Sequence, residues 1–110
     1  MKSAYLNHQG RAYASLRYEP ETPSVVILAE IRVDPDFQGR GWGSELLSEI
    51  AAAADREGVA LMLSVEPGPF GLDRQQLVAW YSRYGWDPVT SAETGKVEPD
   101  VLCRLPQVST

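Results

Sequence analysis

The chain has 110 residues, which is room for one domain with one core and no separate cofactor domain. Its single cysteine, Cys103, and single histidine, His8, exclude an internal disulfide, a thiol-held metal and a histidine-rich metal site. A formal charge of −5 makes a poor nucleic-acid binder and favours cations, amines included.

Met1-Lys2 leads into mixed polar and aromatic residues, not an apolar leader. No apolar run approaches the ~20 residues of a membrane span. A soluble, cytoplasmic protein without membrane contact is expected. Ala4 to Leu6 and Ala12 to Tyr18 read as a strand hairpin, with Gly10 supplying the turn within Asn7-His8-Gln9-Gly10-Arg11. Pro20 and Pro23 end the second strand, because each removes a backbone donor.

Ser24 to Val33 is the strongest strand. Val25-Val26-Ile27-Leu28 is apolar on both faces, the mark of a central strand. Glu30 and Arg32 then alternate with Ala29, Ile31 and Val33, so the far end has one polar face where a site can open. Asp34-Pro35-Asp36-Phe37 breaks the strand, and Gln38-Gly39-Arg40-Gly41-Trp42-Gly43 follows. A helix is expected from Ser44 to Glu57, with Leu46, Leu47, Ile50, Ala51 and Ala54 on one stripe and Gly58 as its stop.

Val59 to Val65 is a further apolar strand, and Glu66-Pro67-Gly68-Pro69-Phe70-Gly71 is a loop rich in breakers. Asp73 and Gln76 form a capping-box pattern for a second helix running to Tyr84, with Gly85 past its end. Leu77, Val78, Trp80, Tyr81 and Tyr84 give it an apolar face. Trp86 to Thr90 and Val101 to Leu105 read as the last strands, with Ser91 to Asp100 a polar, mobile loop between them. The order of elements predicts an α/β sandwich with at least one parallel strand pair.

The chemistry is concentrated where the buried strand passes through the glycine-rich turn into a helix. A helix N-terminus has free N–H groups and a partial positive charge, and so seats phosphates. Gly39, Gly41 and Gly43 let the backbone approach a ligand closely, and Arg40 adds a permanent cation. A P-loop needs a Gly-Lys-Ser/Thr ending, and no lysine lies here. The dinucleotide fingerprint needs G-x-G-x-x-G, and the spacing here is G-x-G-x-G.

The spacing does match another pattern. Gln38-Gly39-Arg40-Gly41-Trp42-Gly43 resembles the Q/R-x-x-G-x-G/A motif of the GNAT N-acetyltransferase superfamily. Val33-Asp34-Pro35-Asp36-Phe37 is similar to the family's V-x-P-x-aromatic lead-in, and Leu46-Leu47 fits the helix that follows. Trp80-Tyr81-Ser82-Arg83-Tyr84-Gly85-Trp86 is similar to its aromatic-Tyr-x-x-x-Gly-aromatic segment. The resemblance covers Ser24 to Trp86, and the terminal strands more loosely.

The resemblance implies a truncated GNAT-like sandwich, a mixed central sheet of about six strands with two main helices. It implies acetyl-CoA as acyl donor, an amine as acceptor and no metal. The diphosphate of coenzyme A would lie on the backbone N–H groups of Gln38, Gly39, Arg40, Gly41, Trp42 and Gly43, with Ser44 assisting. The pantetheine arm would pair with Ile31, Arg32 and Val33. The central strand would be bulged and would splay from Val59 to Val65, leaving a gap for that arm. A backbone N–H near Val33 would stabilise negative charge on the thioester carbonyl. Tyr81 matches the family's general acid, with packing in the apolar helix face as the alternative.

Glu30, on the polar face of the central strand, and Glu66, at the end of its neighbour, are the candidate bases, and Glu30 has Arg32 as an alternative partner. Only 23 residues precede Ser24, too few for the strand and helices that usually wall the family's acceptor site. The acceptor side is therefore expected to be open, suiting a protein or peptide amine, or closed by a second copy. Tyr5, Tyr13 and Tyr18 would serve such a homodimer if exposed. The alternative function is a non-catalytic acyl-CoA-binding or interaction module with the same fold.

Overall fold

The computed structural model describes residues 1–66, 71–90 and 94–107. Six strands form one mixed sheet: β1 (Ala4–Asn7), β2 (Ala12–Tyr18), β3 (Val25–Val33), β4 (Ala60–Ser64), β5 (Asp87–Thr90) and β6 (Val97–Arg104). Two helices, α1 (Trp42–Glu57) and α2 (Arg74–Ser82), connect the middle of it. The strand order is β1-β2-β3-β4-β6-β5. Among the described residues only β3 and β4 run parallel, and α1 is their crossover. The sheet of about six strands with two helices agrees with the expected architecture.

Alternation decides which face is buried. Ala12, Ala14 and Leu16 of β2, Leu61 and Leu63 of β4 and Leu102 of β6 point inward, where Leu46, Leu47 and Ile50 of α1 meet them. The stripe on α1 includes Ala53 and Ala54, while Ala51, expected in it, is only half-buried. Burying each of these leucines and isoleucines stabilises the fold by ~1.5–3 kcal/mol. Neither helix covers the opposite face, where Ile27, Met62 and Cys103 remain half-buried. Among the described residues the fold therefore has two layers, and no helix is long and apolar enough to cross a membrane.

Several boundaries differ from the sequence reading. The first helix starts at Trp42, not Ser44, because Gly41 takes a left-handed conformation at its N-cap (φ 81°) and accepts the first helical hydrogen bond, from the Glu45 N–H at 3.0 Å. The second helix stops at Ser82, two residues before Tyr84. Its capping box is present as expected: the Gln76 N–H donates to the Asp73 carboxylate at 2.8 Å, and the Asp73 N–H donates to Gln76 Oε1 at 2.9 Å. Val97–Asp100, read as loop, is the start of β6, because strand pairing with β5 overrides its polar composition. The rest of that loop, Ser91 to Glu93, and Pro67 to Phe70 of the breaker-rich loop lie outside the described residues. Tyr5, which would serve a homodimer only if exposed, is in the core at 5% exposure.

Candidate active site

The middle of β3 breaks the regular ladder. Leu16 of β2 pairs with Leu28, and the next residue, Ser15, pairs with Glu30. Ala29 is thus the extra residue of a β-bulge, and it is exposed. The bulge changes the phase of the strand. Val26 and Leu28 point inward before it, and Ile31 and Val33 after it. Alternation alone groups Ala29 with Ile31 and Val33; the bulge turns it out.

The same strand parts from β4. The parallel pairing covers Val25 to Ile27 against Ala60 to Met62 and then ends. Beyond it lies a slot of about 300 Å³ through the sheet itself. Inward-facing Leu28, Ile31 and Leu63 line it, and so do outward-facing Ile27, Glu30 and Ser64. Both the bulge and the splay implied by the family resemblance are therefore present.

Tyr81, Glu30 and Glu66 all line this slot. Tyr81 comes from α2 and is 5% exposed, wedged against Trp80 and Trp86 with ring centroids 4.9 and 5.6 Å away. Burial disfavours the phenolate and pushes its pKa up to about 12, so the hydroxyl is a proton donor throughout the neutral range. Glu30 is exposed, and its carboxylate stands 3.5 Å from the Arg32 guanidinium. Arg32 in turn lies over the Tyr13 ring on the face that no helix covers. An exposed ion pair of this kind is weak and leaves the carboxylate able to exchange partners.

At the C-terminal end of β3 a single 3₁₀ turn, Pro35–Phe37, reverses the chain toward the glycines. The Gln38 side-chain amide donates to the Val33 carbonyl at 3.2 Å and holds the turn against the strand end. Gly39 and Gly41 have φ of 84° and 81°, which other residues rarely adopt, and a Cβ on either would meet nothing within 4 Å. Both glycines are exposed. No side chain caps α1. Its first N–H groups, those of Trp42, Gly43 and Ser44, face the turn with the positive end of a 16-residue helix behind them. The N-terminus of α2, by contrast, is closed by its own capping box.

A second cavity of about 280 Å³ lies at this turn, lined by Val33, Gln38, Gly41, Gly43 and Ser44, among others. Trp80 lines this cavity, and its sequence neighbour Tyr81 lines the slot. Ile31 and Val33 divide in the same way along β3. Thus Gln38 to Ser44 gather at one end of α1, and Ile31 to Val33 run from there toward Tyr81, Glu30 and Glu66. Arg40 is exposed, with its guanidinium 5.0 Å from the Phe37 ring centroid and 5.8 Å from that of Trp42.

Three contributors escaped the sequence reading. Trp80, assigned to packing, donates its indole N–H to Ser44 Oγ at 3.2 Å. His8, read as a residue of a polar turn, stacks on Trp42. Arg104 and Asp55 form a bidentate pair at 2.8 and 3.0 Å that joins β6 to α1. No periodicity signals such contacts, because each joins segments distant in sequence. Among the described residues no cluster of three or more His, Cys, Asp or Glu side chains is placed to hold a metal.

A family model described as the acetyltransferase (GNAT) domain matches residues 3–88. No curated protein sequence matches the chain. Among solved structures, the ribosomal-protein-S18-alanine N-acetyltransferase from Escherichia coli is similar over 96% of this chain and 68% of its own, at 21% identity and a TM-score of 0.70. The anti-CRISPR protein AcrVA5 is similar over 93% of this chain and 98% of its own, at 15% identity and a TM-score of 0.68. The PaiA N-acetyltransferase from Thermoplasma acidophilum, solved in complex with coenzyme A, is similar over 86% of this chain and 52% of its own, at 13% identity and a TM-score of 0.59. At these identities the likeness is one of fold.

Proposed function

Since the chain belongs to the GNAT acetyltransferase family, we propose that it moves an acetyl group from acetyl-CoA to an amine by direct attack. The observation that carries this reading is the pairing of two features along one stretch of chain: a slot beside the bulge at Ala29 of β3 and, after that strand, a helix N-terminus at Gly41 with no side-chain cap. When bound, acetyl-CoA supplies an activated thioester.

The backbone N–H groups from Gln38 to Gly43, with Ser44, are suited to hold its diphosphate, because space is open at Gly39 and Gly41 and the run leads into the positive end of α1. Arg40 adds a cation at the rim. Ile31, Arg32 and Val33 present a strand edge that no β4 residue pairs with, and that edge is where an extended arm can hydrogen-bond. Holding donor and amine together supplies a large part of the rate.

Tyr81 faces the leaving group. A thiol has a pKa of about 8.5, while Tyr81 sits at about 12. Full transfer of the phenolic proton to a thiolate is therefore uphill, and Tyr81 acts by donating a hydrogen bond that lowers the negative charge on sulfur. Glu30 on β3 and Glu66, two residues past the end of β4, are the groups available to take the proton of the attacking amine, directly or through water.

The acceptor is a protein or peptide amine. The slot opens through to the sheet face that neither helix covers, which leaves room for a large acceptor. The Escherichia coli neighbour, which by its name acts on an alanine of a ribosomal protein, is a precedent for a protein acceptor on this fold. The test is release of free thiol from acetyl-CoA with and without a panel of peptides and small amines, alongside calorimetry with coenzyme A. Acetylated peptide in the presence of a measurable coenzyme A affinity is expected. Binding without transfer to any amine would assign a binding module instead, and no binding at millimolar coenzyme A would sink both.

A further inference from the structure

The β1–β2 turn contains two non-glycine residues, His8 (φ 54°) and Gln9 (φ 62°), in the left-handed region. The Gly10 N–H donates to the Asn7 carbonyl at 3.1 Å, so His8 and Gln9 are the central residues of a primed hairpin turn, which needs left-handed angles at both. The tip of this hairpin packs against the helix start and the segment that leads to the glycine turn. The His8 imidazole lies parallel to the Trp42 indole, with centroids 3.8 Å apart and planes 6° apart. His8 Nε2 is 3.3 Å from the Glu45 carboxylate, and the Asn7 amide donates to Glu49 at 3.0 Å. The Asp34 N–H donates to the Arg11 carbonyl at 2.7 Å, and the Arg11 guanidinium lies 4.5 Å from the Phe37 ring centroid.

Trp42 is the first residue of α1 and lines the cavity at the glycine turn. Its N–H is one of those left without a helical acceptor. Phe37 stacks on it as well, at 5.2 Å and 12°. Glycines on both sides, Gly41 and Gly43, leave this first turn with little stiffness of its own. An external brace is therefore what fixes the direction of its N–H groups.

We infer that His8 is a positioning residue for the acyl donor: its ring, presented by the tip of the β1–β2 hairpin, clamps Trp42 and holds the first turn of α1 in the geometry that receives a diphosphate. The inference rests on the acetyl-CoA reading above for its ligand and on the stack alone for its mechanics. His8 lines neither the slot nor the cavity at the glycine turn, which sets it apart from Tyr81, Glu30 and Glu66.

The test compares the full chain with His8→Ala and His8→Phe, each checked for folding by circular dichroism. Amide exchange at Trp42 to Ser44 is measured without ligand, coenzyme A affinity by calorimetry, and KM for acetyl-CoA separately from kcat. An aromatic stack is worth about a three- to tenfold change in an equilibrium. His8→Ala is expected to speed exchange and weaken coenzyme A by that factor, raising KM with kcat nearly unchanged. His8→Phe is expected to restore most of both, because a phenyl ring keeps the stack and loses only the Glu45 contact. Unchanged exchange and affinity in His8→Ala would overturn the inference, and so would a folded His8→Phe that behaves like His8→Ala. If the unaltered chain binds no coenzyme A, the donor reading fails, and the exchange measurement alone still decides whether His8 braces the helix.

Discussion

Trp80 reaches from α2 to α1 and donates its indole N–H to the Ser44 hydroxyl, 3.2 Å away. Ser44 lies in the first turn of α1, and Trp80 precedes Tyr81. One hydrogen bond thus joins the helix end suited to an anion with the helix that carries the slot's phenol. Trp80→Phe keeps a ring and removes the donor. A loss of ~0.5–1.5 kcal/mol in stability is expected, with a several-fold weaker coenzyme A affinity. Thermal melting and calorimetry on the same sample check both, and an unchanged affinity would confine the bond to a structural role.

Tyr81→Phe separates the hydroxyl from the packing. The ring against Trp80 and Trp86 is retained, so the melting temperature should move little. If the hydrogen bond to the leaving sulfur is worth what charge-assisted bonds are worth, kcat falls by about ten- to a hundredfold with KM for acetyl-CoA unchanged. Steady-state kinetics decide this, and full activity in the phenylalanine variant would remove Tyr81 from the chemistry.

The same residue sets an alkaline limit on stability. Its pKa is raised from 10.0 to about 12 by burial. The folded state therefore keeps a proton that the unfolded chain gives up first. The stability tied to the neutral phenol is complete below pH 10 and is lost as pH rises through about 12. Tyr81→Phe should flatten the decline in melting temperature over that window. Equal alkaline slopes for the two chains would contradict the assignment.

Gly41 should resist replacement for conformational and not steric reasons. A methyl group there meets no atom within 4 Å, yet φ is 81°. Gly41→Ala is expected to cost ~1–2 kcal/mol, while Gly41→Asn costs less, since asparagine tolerates the left-handed region. Denaturant midpoints measure the difference. Alanine and asparagine behaving alike would mean that the turn rearranges.

Arg104 and Asp55 predict the acid side. Arg104 is 5% exposed, its fork grips the Asp55 carboxylate, and the Gln107 N–H adds a third donor at 2.8 Å. The Arg104 hydrogen bonds come first in holding the Asp55 pKa below its ordinary value. A depressed pKa means that the unfolded state binds the proton first as pH falls. The stabilisation is present above the unfolded value of about 3.9 and disappears as pH drops through the folded value. Asp55→Asn should weaken the acid dependence of the melting temperature. Arg104→Met, which strands the carboxylate, should cost ~2–4 kcal/mol near neutral pH.

Much of this architecture is legible in the sequence because it is periodic or punctuated. Leu46, Leu47 and Ile50 announce α1, Asp73 and Gln76 announce the start of α2, and the glycine spacing marks the turn. The early start of α1 is hidden, because Gly-Trp-Gly reads as loop by propensity while the left-handed Gly41 makes it a helix start. The strand character of Val97–Asp100 is hidden for the converse reason: it is imposed by partners and not by composition. The bulge is hidden, because Val25, Ile27, Ala29, Ile31 and Val33 keep an unbroken apolar alternation on odd positions, and only the burial of Val26 and Leu28 together with Ile31 and Val33 marks one surplus residue between them. Tyr81 is a candidate through the family resemblance, Glu30 through the polar face of β3 and Glu66 through its place after β4, and all three line the slot. The His8–Trp42 and Arg104–Asp55 contacts are not legible, since nothing local encodes them.

That surplus residue has an evolutionary side. Ala29 buries nothing and pairs with nothing across β2, while Leu28 and Glu30 already meet consecutive partners, Leu16 and Ser15. A chain shortened by Ala29 alone would keep every inward-facing side chain of β3 inward and would straighten the strand toward β4. It should melt at the same temperature or higher and lose the slot. At this position the most durable protein and the useful one differ in length by one amino acid, so selection for robustness alone would delete it.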